Sequence, residues 1–351
     1  MHQTVLVLNL PYVLNKNLNQ VIALKDYHFI FITKIRKLSD DDLPPNARQI
    51  VIQSPLLRFI YVSFLLLTHL RKINHVEVYP GGILSFPFVL LGKLFQYKVV
   101  LAERGDIGCL SNYSKLLQWS MRYSYHYAHT VWYREPFMKK ELSKLGISNL
   151  FFQGNAIYFD HKNSNSSSKT LDFLWVNRVI PERNVRWFVD ILAQKEMSHV
   201  SSAILGVQEM LKDTLIVDEQ KYIYSKKINH LQILGFENPH PFYKNYKFFV
   251  FPAEKTYANF SLLESMSYGL VPIVSAVPGT DLIVKDGENG IVFPFTKEGL
   301  EEGMKRALAL SEEEYARLSK NARLTIETQF SLESYSENMT TFYESLTVRN
   351  Q

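Results

Sequence analysis

The sequence predicts an α/β protein made of two doubly wound parallel sheets. Three observations carry this. At 351 residues the chain is too long for one average core and suits two domains. Short apolar runs alternate with helical patterns along almost all of it, the pattern of a parallel sheet covered by helices. The pattern breaks once, at the polar stretch HKNSNSSSK over His161–Lys169, and then restarts. A Ser/Asn-rich stretch without an apolar anchor reads as a linker. The expected division is residues 1–160, a linker over 161–170, residues 171–330, and a last helix over 331–351. Two such halves leave a cleft, with ligands at the carboxyl ends of the strands.

The elements follow in order. Strands are expected at Thr4–Leu10, His28–Thr33, Gln49–Gln53, His75–Tyr79, Lys98–Ala102, Thr130–Tyr133 and Leu150–Phe152. Each is short and apolar and precedes a turn signal or an amphipathic segment. The longest apolar stretch, Phe59–Leu67, is too short to span a bilayer. It reads as a buried helix, the commoner case, or as an interfacial helix flanked by Arg58 and by Arg71-Lys72. Beyond the linker come a strand at Leu171–Val176, a helix at Val185–Gln194 and a strand at Val200–Leu205. Strands are then expected at Tyr222–Tyr224, Leu231–Leu234, Phe248–Phe251, Val271–Val274 and Ile291–Phe293. The tail is helical over Glu298–Ser311, Glu312–Gln329 and Leu332–Leu346, and no internal repeat is present.

Composition narrows the function. Apolar residues at 46% allow large cores, and a net charge of +5 suits anionic partners such as nucleotides and acidic lipid headgroups. Dense Lys/Arg blocks and recognisable nucleic-acid modules are lacking, so no nucleic-acid partner is expected. The single cysteine, Cys109, excludes an intramolecular disulfide and reads as a packing residue in a cytoplasmic protein. The opening MHQTVLVLNLP reads as a first strand rather than a signal peptide.

The most informative segment is Phe251–Gly290, FPAEKTYANFSLLESMSYGLVPIVSAVPGTDLIVKDGENG. It reads strand, loop, helix, strand, turn. The loop Ala258-Asn259-Phe260-Ser261 feeds a helix whose free N–H groups and dipole favour a phosphate. Glu264, one turn in, repels phosphate but can accept hydrogen bonds from two neighbouring hydroxyls. A nucleoside diphosphate lying across this helix start, with its ribose on Glu264, satisfies both.

The same segment resembles the donor-site signature of the retaining GT-B glycosyltransferases of family 4. Leu262-Leu263-Glu264-Ser265-Met266, Gly269, Pro272-Ile273-Val274, Pro278-Gly279 and Asp286-Gly287-Glu288-Asn289-Gly290 match it. The first Glu of the family's paired glutamates is absent. Thr256 holds its position, and Glu254, two residues earlier, is the candidate replacement. Leu174-Trp175-Val176-Asn177-Arg178-Val179-Ile180-Pro181-Glu182-Arg183-Asn184 resembles the family's Gly-Arg-Leu-x-x-x-Lys-Gly segment. The resemblance implies that Arg178 and Arg183 hold the donor diphosphate. Preplaced cations stabilise the charge that develops on a departing diphosphate, so no metal is expected. Asn177 stands where the family has Gly. His230–Phe236, followed by Phe242-Tyr243-Lys244-Asn245, matches a third block, implying that Leu234, Gly235 and Phe236 lie against the base. Asn259, Phe260, Ser261 and Leu262 complete the implied donor site. Gly154-Asn155-Ala156-Ile157 resembles the turn that ends the family's first domain, and Phe330-Ser331-Leu332-Glu333 the start of a helix that returns to brace it.

The first half is less specific. Asn9–Asn19 has no glycine where family members often carry a Gly-rich loop. Acceptor-side candidates are Tyr79-Pro80-Gly81-Gly82 and Glu103-Arg104-Gly105-Asp106, the latter where many members place a sugar-contacting His; Glu103, Arg104 or Asp106 could act there, with Asp106 the catalytic candidate. His126 and His129, three apart, read as a core or surface pair rather than zinc ligands. The resemblance implies a hexosyltransferase-type enzyme of GT-B fold, its two Rossmann-like domains facing across a cleft. It uses a nucleotide-diphosphate sugar as co-substrate and no further cofactor, and acts with retention on a saccharide or polyprenyl-lipid-linked acceptor of a bacterial surface polysaccharide, lipopolysaccharide or capsule. The place expected is the cytoplasm, with weak association at the inner membrane face. The alternative is a catalytically degenerate GT-B scaffold or partner subunit of a polysaccharide assembly complex.

Overall fold

The computed structural model describes residues 3–13, 15–68, 72–81, 84–159, 169–207, 214–256 and 259–347. Most of the expected linker, and Arg71, Gly82 and Ala258, lie outside the described residues. The chain forms two compact units, residues 1–158 with 332–351, and residues 159–331.

In the first unit, strands β1 (Gln3–Leu10), β2 (Tyr27–Thr33), β3 (Ala47–Val51), β4 (Ile73–Val78), β5 (Lys98–Glu103), β6 (Thr130–Tyr133) and β7 (Leu150–Phe152) form one sheet. Its order is β3-β2-β1-β4-β5-β6-β7, and every pairing is parallel. The connecting helices are α1 (Asn15–Ala23), α2 (Pro55–Thr68), α3 (Phe86–Leu94), α4 (Lys115–Tyr127) and α5 (Pro136–Lys144). A parallel sheet covered on both faces buries both side-chain sets of each strand, which is why VLVLNL is apolar almost without interruption. Leu6 and Leu8 join the core beneath α2, α3 and α4, whereas Val5 and Val7 join a second core. That second core includes α1 and the last helix, α12 (Leu332–Thr347). On α12, Phe342 stacks on Phe151 with centroids 3.8 Å apart, and buried Tyr343 donates to buried Glu77. The C-terminal helix thus returns to the first unit.

In the second unit, β8 (Leu171–Val176), β9 (Ser202–Leu205), β10 (Leu231–Leu234), β11 (Tyr246–Phe251), β12 (Val271–Ser275) and β13 (Ile291–Phe293) form a sheet ordered β10-β9-β8-β11-β12-β13, again all parallel. Its helices are α6 (Val185–Leu192), α7 (Thr214–Ser225), α8 (His240–Asn245), α9 (Phe260–Ser267), α10 (Lys297–Leu308) and α11 (Glu312–Gln329). The starts of α10 and α11 are fixed by Thr296, which accepts from the Gly299 amide at 3.0 Å, and by a Ser311–Glu314 capping box.

One expected strand is wrong. Tyr222–Tyr224 lies inside α7. Buried Ile223 stands one turn after buried Glu219, while Tyr224 is exposed. A short aromatic run suits a strand, but the burial here follows the helical period. Three other readings also change. Arg58 is not an exposed cation at the end of this helix: it is buried and donates to the Ile52 and Gln53 carbonyls at 3.1 and 3.2 Å. Helix α2 is not buried all round either, since it covers Val62, Leu65 and Leu66 and leaves Leu57, Ile60 and Phe64 exposed. Cys109 is exposed rather than the packing residue expected.

Both sheets reverse their strand order once, between β1 and β4 in the first unit and between β8 and β11 in the second. The loops leaving those four strands diverge, and such a point in an open parallel sheet is where a ligand enters.

Candidate functional site

In the second unit the switch point is built by the β8–α6 connection and the loop after β11. They are stitched together by three hydrogen bonds. Asn184, in the left-handed region at φ 51°, donates its side chain to the Pro252 carbonyl at 2.9 Å. The Glu254 amide donates to the Glu182 carbonyl at 3.2 Å. Arg183 donates from Nη1 to the Lys255 carbonyl at 3.2 Å, and its guanidinium lies over the Phe251 ring. Arg183 therefore stands at the junction of the two loops. Arg178, on the same connection, is exposed. Between them and β8, Asn177 Oδ1 accepts from the Arg178 amide at 2.9 Å. The backbone here has no room to spare. Gly206, at φ 113°, lies against the Asn177 carbonyl so closely that any side-chain carbon would overlap it. Gly206 is a positioning residue that the sequence reading missed; a Leu-Gly step at a strand end was its only signal.

Helix α9 begins immediately beyond that loop. Asn259 caps it, accepting from the Leu262 amide at 3.0 Å. The amides of Phe260 and Ser261 are the donors that a helix start leaves for a ligand. One turn in, Glu264 is half-buried and its carboxyl is pushed up by burial, against the opposing pull of the Tyr243 hydroxyl. Tyr243 is fully buried, with its hydroxyl 3.4 Å from both Glu264 Oε2 and the Ser261 carbonyl. It orients the carboxylate from α8, which the sequence reading had matched only as part of a block. A half-buried carboxylate with one long partner among the described residues keeps acceptor capacity for ligand hydroxyls.

The third edge is the end of β10. The Leu234 carbonyl accepts from the Gly206 and Val207 amides at 3.3 and 3.2 Å, and the Gly235 carbonyl from Gly206 at 3.0 Å. Phe236 follows with 63% of its surface exposed, a large ring left to solvent beside a fixed backbone. The two positions considered for the missing glutamate part company: Glu254 is exposed, and Thr256 is fully buried, its hydroxyl without a hydrogen-bond partner among the described residues. The Asp286–Gly290 motif is a turn that satisfies itself and its neighbours. Asp286 accepts from the Val292 amide and from Arg306, and Asn289 bridges Lys285, Ile283 and Thr325.

In the first unit the corresponding edge gathers the ends of β1, β4, β5 and β6. Asn9 takes φ 66° without being glycine and donates to the Tyr79 carbonyl at 2.6 Å. Arg104 donates to the Tyr79 hydroxyl at 2.8 Å and lies over its ring, and burial lowers its basicity to about 10. Arg134, at the end of β6 and nine-tenths buried, lies over Trp132 and adds to that lowering. The sequence reading missed it. Asp106 accepts from the Tyr113 hydroxyl at 2.6 Å and packs directly on Gly81, so the two candidate loops meet. Glu103 is fully buried and braces its own loop, accepting from the Gly105 and Ile107 amides at 2.6 and 3.2 Å and from Tyr125. His126 and His129 are both exposed, and among the described residues no three His, Cys, Asp or Glu side chains cluster as metal ligands.

Burial pushes the Glu103 carboxyl up to about 7 from 4.5. A carboxyl whose folded value is raised stabilises the fold fully below its unfolded value, and that contribution is lost as pH rises to the folded one. Stability should therefore fall by about 3 kcal/mol between pH 4.5 and 7. Glu103→Gln keeps the acceptors for both amides and a partner for Tyr125, so it should flatten this slope in calorimetric unfolding. An unchanged slope would assign it to another group.

Comparison with known proteins adds the following. Residues 157–325 match the family described as Glycosyl transferases group 1. The chain is 22% identical, over 249 residues, to the UDP-N-acetylglucosamine--peptide N-acetylglucosaminyltransferase GtfA subunit of Streptococcus pneumoniae. That match covers 69% of this chain but 44% of the relative, so the chain spans less than half of that protein's length. Among solved structures it resembles Anabaena HepE in complex with UDP, with TM-score 0.77, 12% identity, and 98% and 100% of the two chains covered. It also resembles the lipopolysaccharide outer core galactosyltransferase WaaB in its apo form, with TM-score 0.69, 16% identity, and 98% and 99% covered. At these identities the likeness establishes the fold, which is GT-B with two Rossmann-like domains.

Proposed function

We propose that this chain transfers a sugar from a nucleoside-diphosphate sugar to a saccharide or lipid-linked saccharide, with retention of configuration, in the synthesis of a bacterial surface polysaccharide such as a lipopolysaccharide O-antigen or a capsule. The observation that carries this reading is the assembly at the second switch point. There a capped helix start, a half-buried carboxylate one turn in, and a loop bearing Arg178 and Arg183 stand at the strand ends of the sheet that also carries the exposed ring of Phe236. The relatives support the donor half of this reading: one is a UDP-N-acetylglucosamine--peptide N-acetylglucosaminyltransferase subunit and one was solved with UDP.

On this reading the base lies on Phe236 beside Leu234 and Gly235, the ribose hydroxyls donate to Glu264, and the diphosphate meets the amides of Phe260 and Ser261. Asn259 and Leu262 hold that helix start, and Asn177 sets the course of the loop towards the phosphates. The bond from the anomeric carbon to the β-phosphate oxygen breaks, the bond to the acceptor oxygen forms, and the acceptor proton passes to the departing phosphate. Arg178 and Arg183 neutralise the charge that remains, which is the task a metal would otherwise perform. Asp106, fixed against Gly81, faces the acceptor side.

The experiment is turnover of a panel of nucleoside-diphosphate sugars, as transfer and as slow hydrolysis. Turnover of at least one donor is expected, and binding without turnover of any would overturn the reading. The rival is a degenerate scaffold subunit, and one observation favours it: Thr256 is buried where the matched signature has Glu, and Glu254 points to solvent. If Glu254 replaces the missing glutamate, Glu254→Ala should lower turnover and leave the melting temperature unchanged. Unchanged turnover would remove Glu254 from catalysis.

A further inference from the structure

Three consecutive helices of the first unit, α2, α3 and α4, leave a wide apolar face in solvent. On α2, Leu56, Leu57, Ile60, Phe64 and Leu67 recur at helical spacing and are each more than half exposed. They lie opposite buried Val62, Leu65 and Leu66. On α3, which packs between the other two, Leu90 and Leu94 are 51% and 70% exposed. On α4 the stripe is Leu116, Trp119, Tyr123 and Tyr127, and its rings pack on one another and on Phe86. A patch this broad marks an interaction surface.

Its charge identifies the partner. The three helices contain no Asp or Glu, while Lys93, Lys115 and Arg122 are exposed among the apolar residues, with Lys93 over the Tyr127 ring. Cations, Trp and Tyr bordering Leu and Phe form the pattern of a surface that sits in the headgroup layer of an anionic bilayer. A groove of about 540 Å³ opens in the same face, lined by Pro55 and Phe59 of α2, Leu84 and Phe88 at the start of α3, and Leu116 and Leu117 of α4. These are the first turns of helices that follow β3, β4 and β5. The groove therefore opens at the carboxyl edge of the sheet, the edge that carries Tyr79, Arg104 and Asp106.

We propose that the α2–α3–α4 face seats on an anionic phospholipid membrane and that the groove takes one hydrocarbon chain from it. The membrane contact stands on this surface alone. Only its meaning, that a lipid-linked acceptor presents its head at the neighbouring strand ends, rests on the function proposed above.

The test is co-sedimentation of the full chain with vesicles of phosphatidylglycerol and phosphatidylcholine, and with phosphatidylcholine alone. Binding to the anionic vesicles is expected, falling at least tenfold with added salt or with Lys93→Glu/Arg122→Glu. Leu57→Asp/Phe64→Asp and Leu116→Asp, all at exposed positions, should abolish binding while leaving the melting temperature unchanged. No binding to anionic vesicles, or binding indifferent to these variants, overturns the proposal. So does a dimer in sedimentation equilibrium that Phe64→Asp dissolves, because the face would then cover a second copy. Donor turnover measured on the same preparations separates the two readings: vesicle binding without turnover retains the surface and removes the enzyme, and turnover without vesicle binding does the reverse.

Discussion

Replacing Arg178 by alanine is expected to lower turnover roughly a hundred- to a thousandfold, while raising the dissociation constant for the nucleoside diphosphate far less. The asymmetry follows from when the charge appears. Donor binding needs cations near a diphosphate that is already ionised and solvated, but bond breaking adds a negative charge that only preplaced groups can meet at once. Arg178 is exposed, so its removal leaves no cavity and costs little stability. Arg183 is held more firmly, donating to the Lys255 carbonyl over the Phe251 ring. Arg183→Ala should therefore match the loss in turnover, whereas Arg183→Lys keeps the charge and should be the mildest change of the set. Steady-state kinetics with the correct donor decide it. If Arg183→Ala raised only the Michaelis constant and left turnover intact, the pair would be a binding clamp rather than a transition-state device.

The fold was legible in the sequence because parallel sheets bury both faces of their strands. Runs such as YKFFVF and VPIVS cannot be anything exposed, and the turns between them are short. Periodicity failed where it is weakest, in the three-residue run Tyr222–Tyr224, which α7 absorbs with Ile223 inward and Tyr224 outward. The donor-side candidates were legible because a helix start and the loops beside it are local in sequence. Asn259 capping α9 follows from Asn-Phe-Ser-Leu alone. What could not be read were contacts between distant loops. Gly206 against Asn177, Tyr243 beneath Glu264, and Arg134 beside Arg104 are set by the order of strands in the sheet, which no single segment states. Arg58 shows the same limit from the other side. A cation beside an apolar run looks like a membrane anchor, yet its donors are taken by two carbonyls before the helix. The exposed cations of that face are Lys93, Lys115 and Arg122, on two different helices.

Glu264→Gln should weaken binding of the free nucleoside diphosphate roughly ten- to a hundredfold, because a hydrogen bond to a charged group contributes about 1.5–3 kcal/mol. The substitution keeps size and shape, and the Tyr243 hydroxyl retains an acceptor, so the fold of α8 and α9 should survive. The pH dependence makes the test specific. Burial holds the carboxyl of Glu264 above the ordinary carboxylate value in the free protein. Ribose hydroxyls donate only to the ionised form with full strength, so binding draws that value down. Affinity must then rise with pH up to the raised value of the free protein, level off above it, and be lost as pH falls through it. The nucleotide's own phosphate titrates near pH 6 and imposes a slope of its own. The Gln variant carries only that second slope, so the ratio of the two affinities isolates Glu264. Calorimetric titration from pH 4.5 to 8 should show the ratio climbing and then flat. A ratio near one throughout, in a variant whose melting temperature is unchanged, would place the ribose elsewhere and leave Glu264 as a partner of Tyr243 alone.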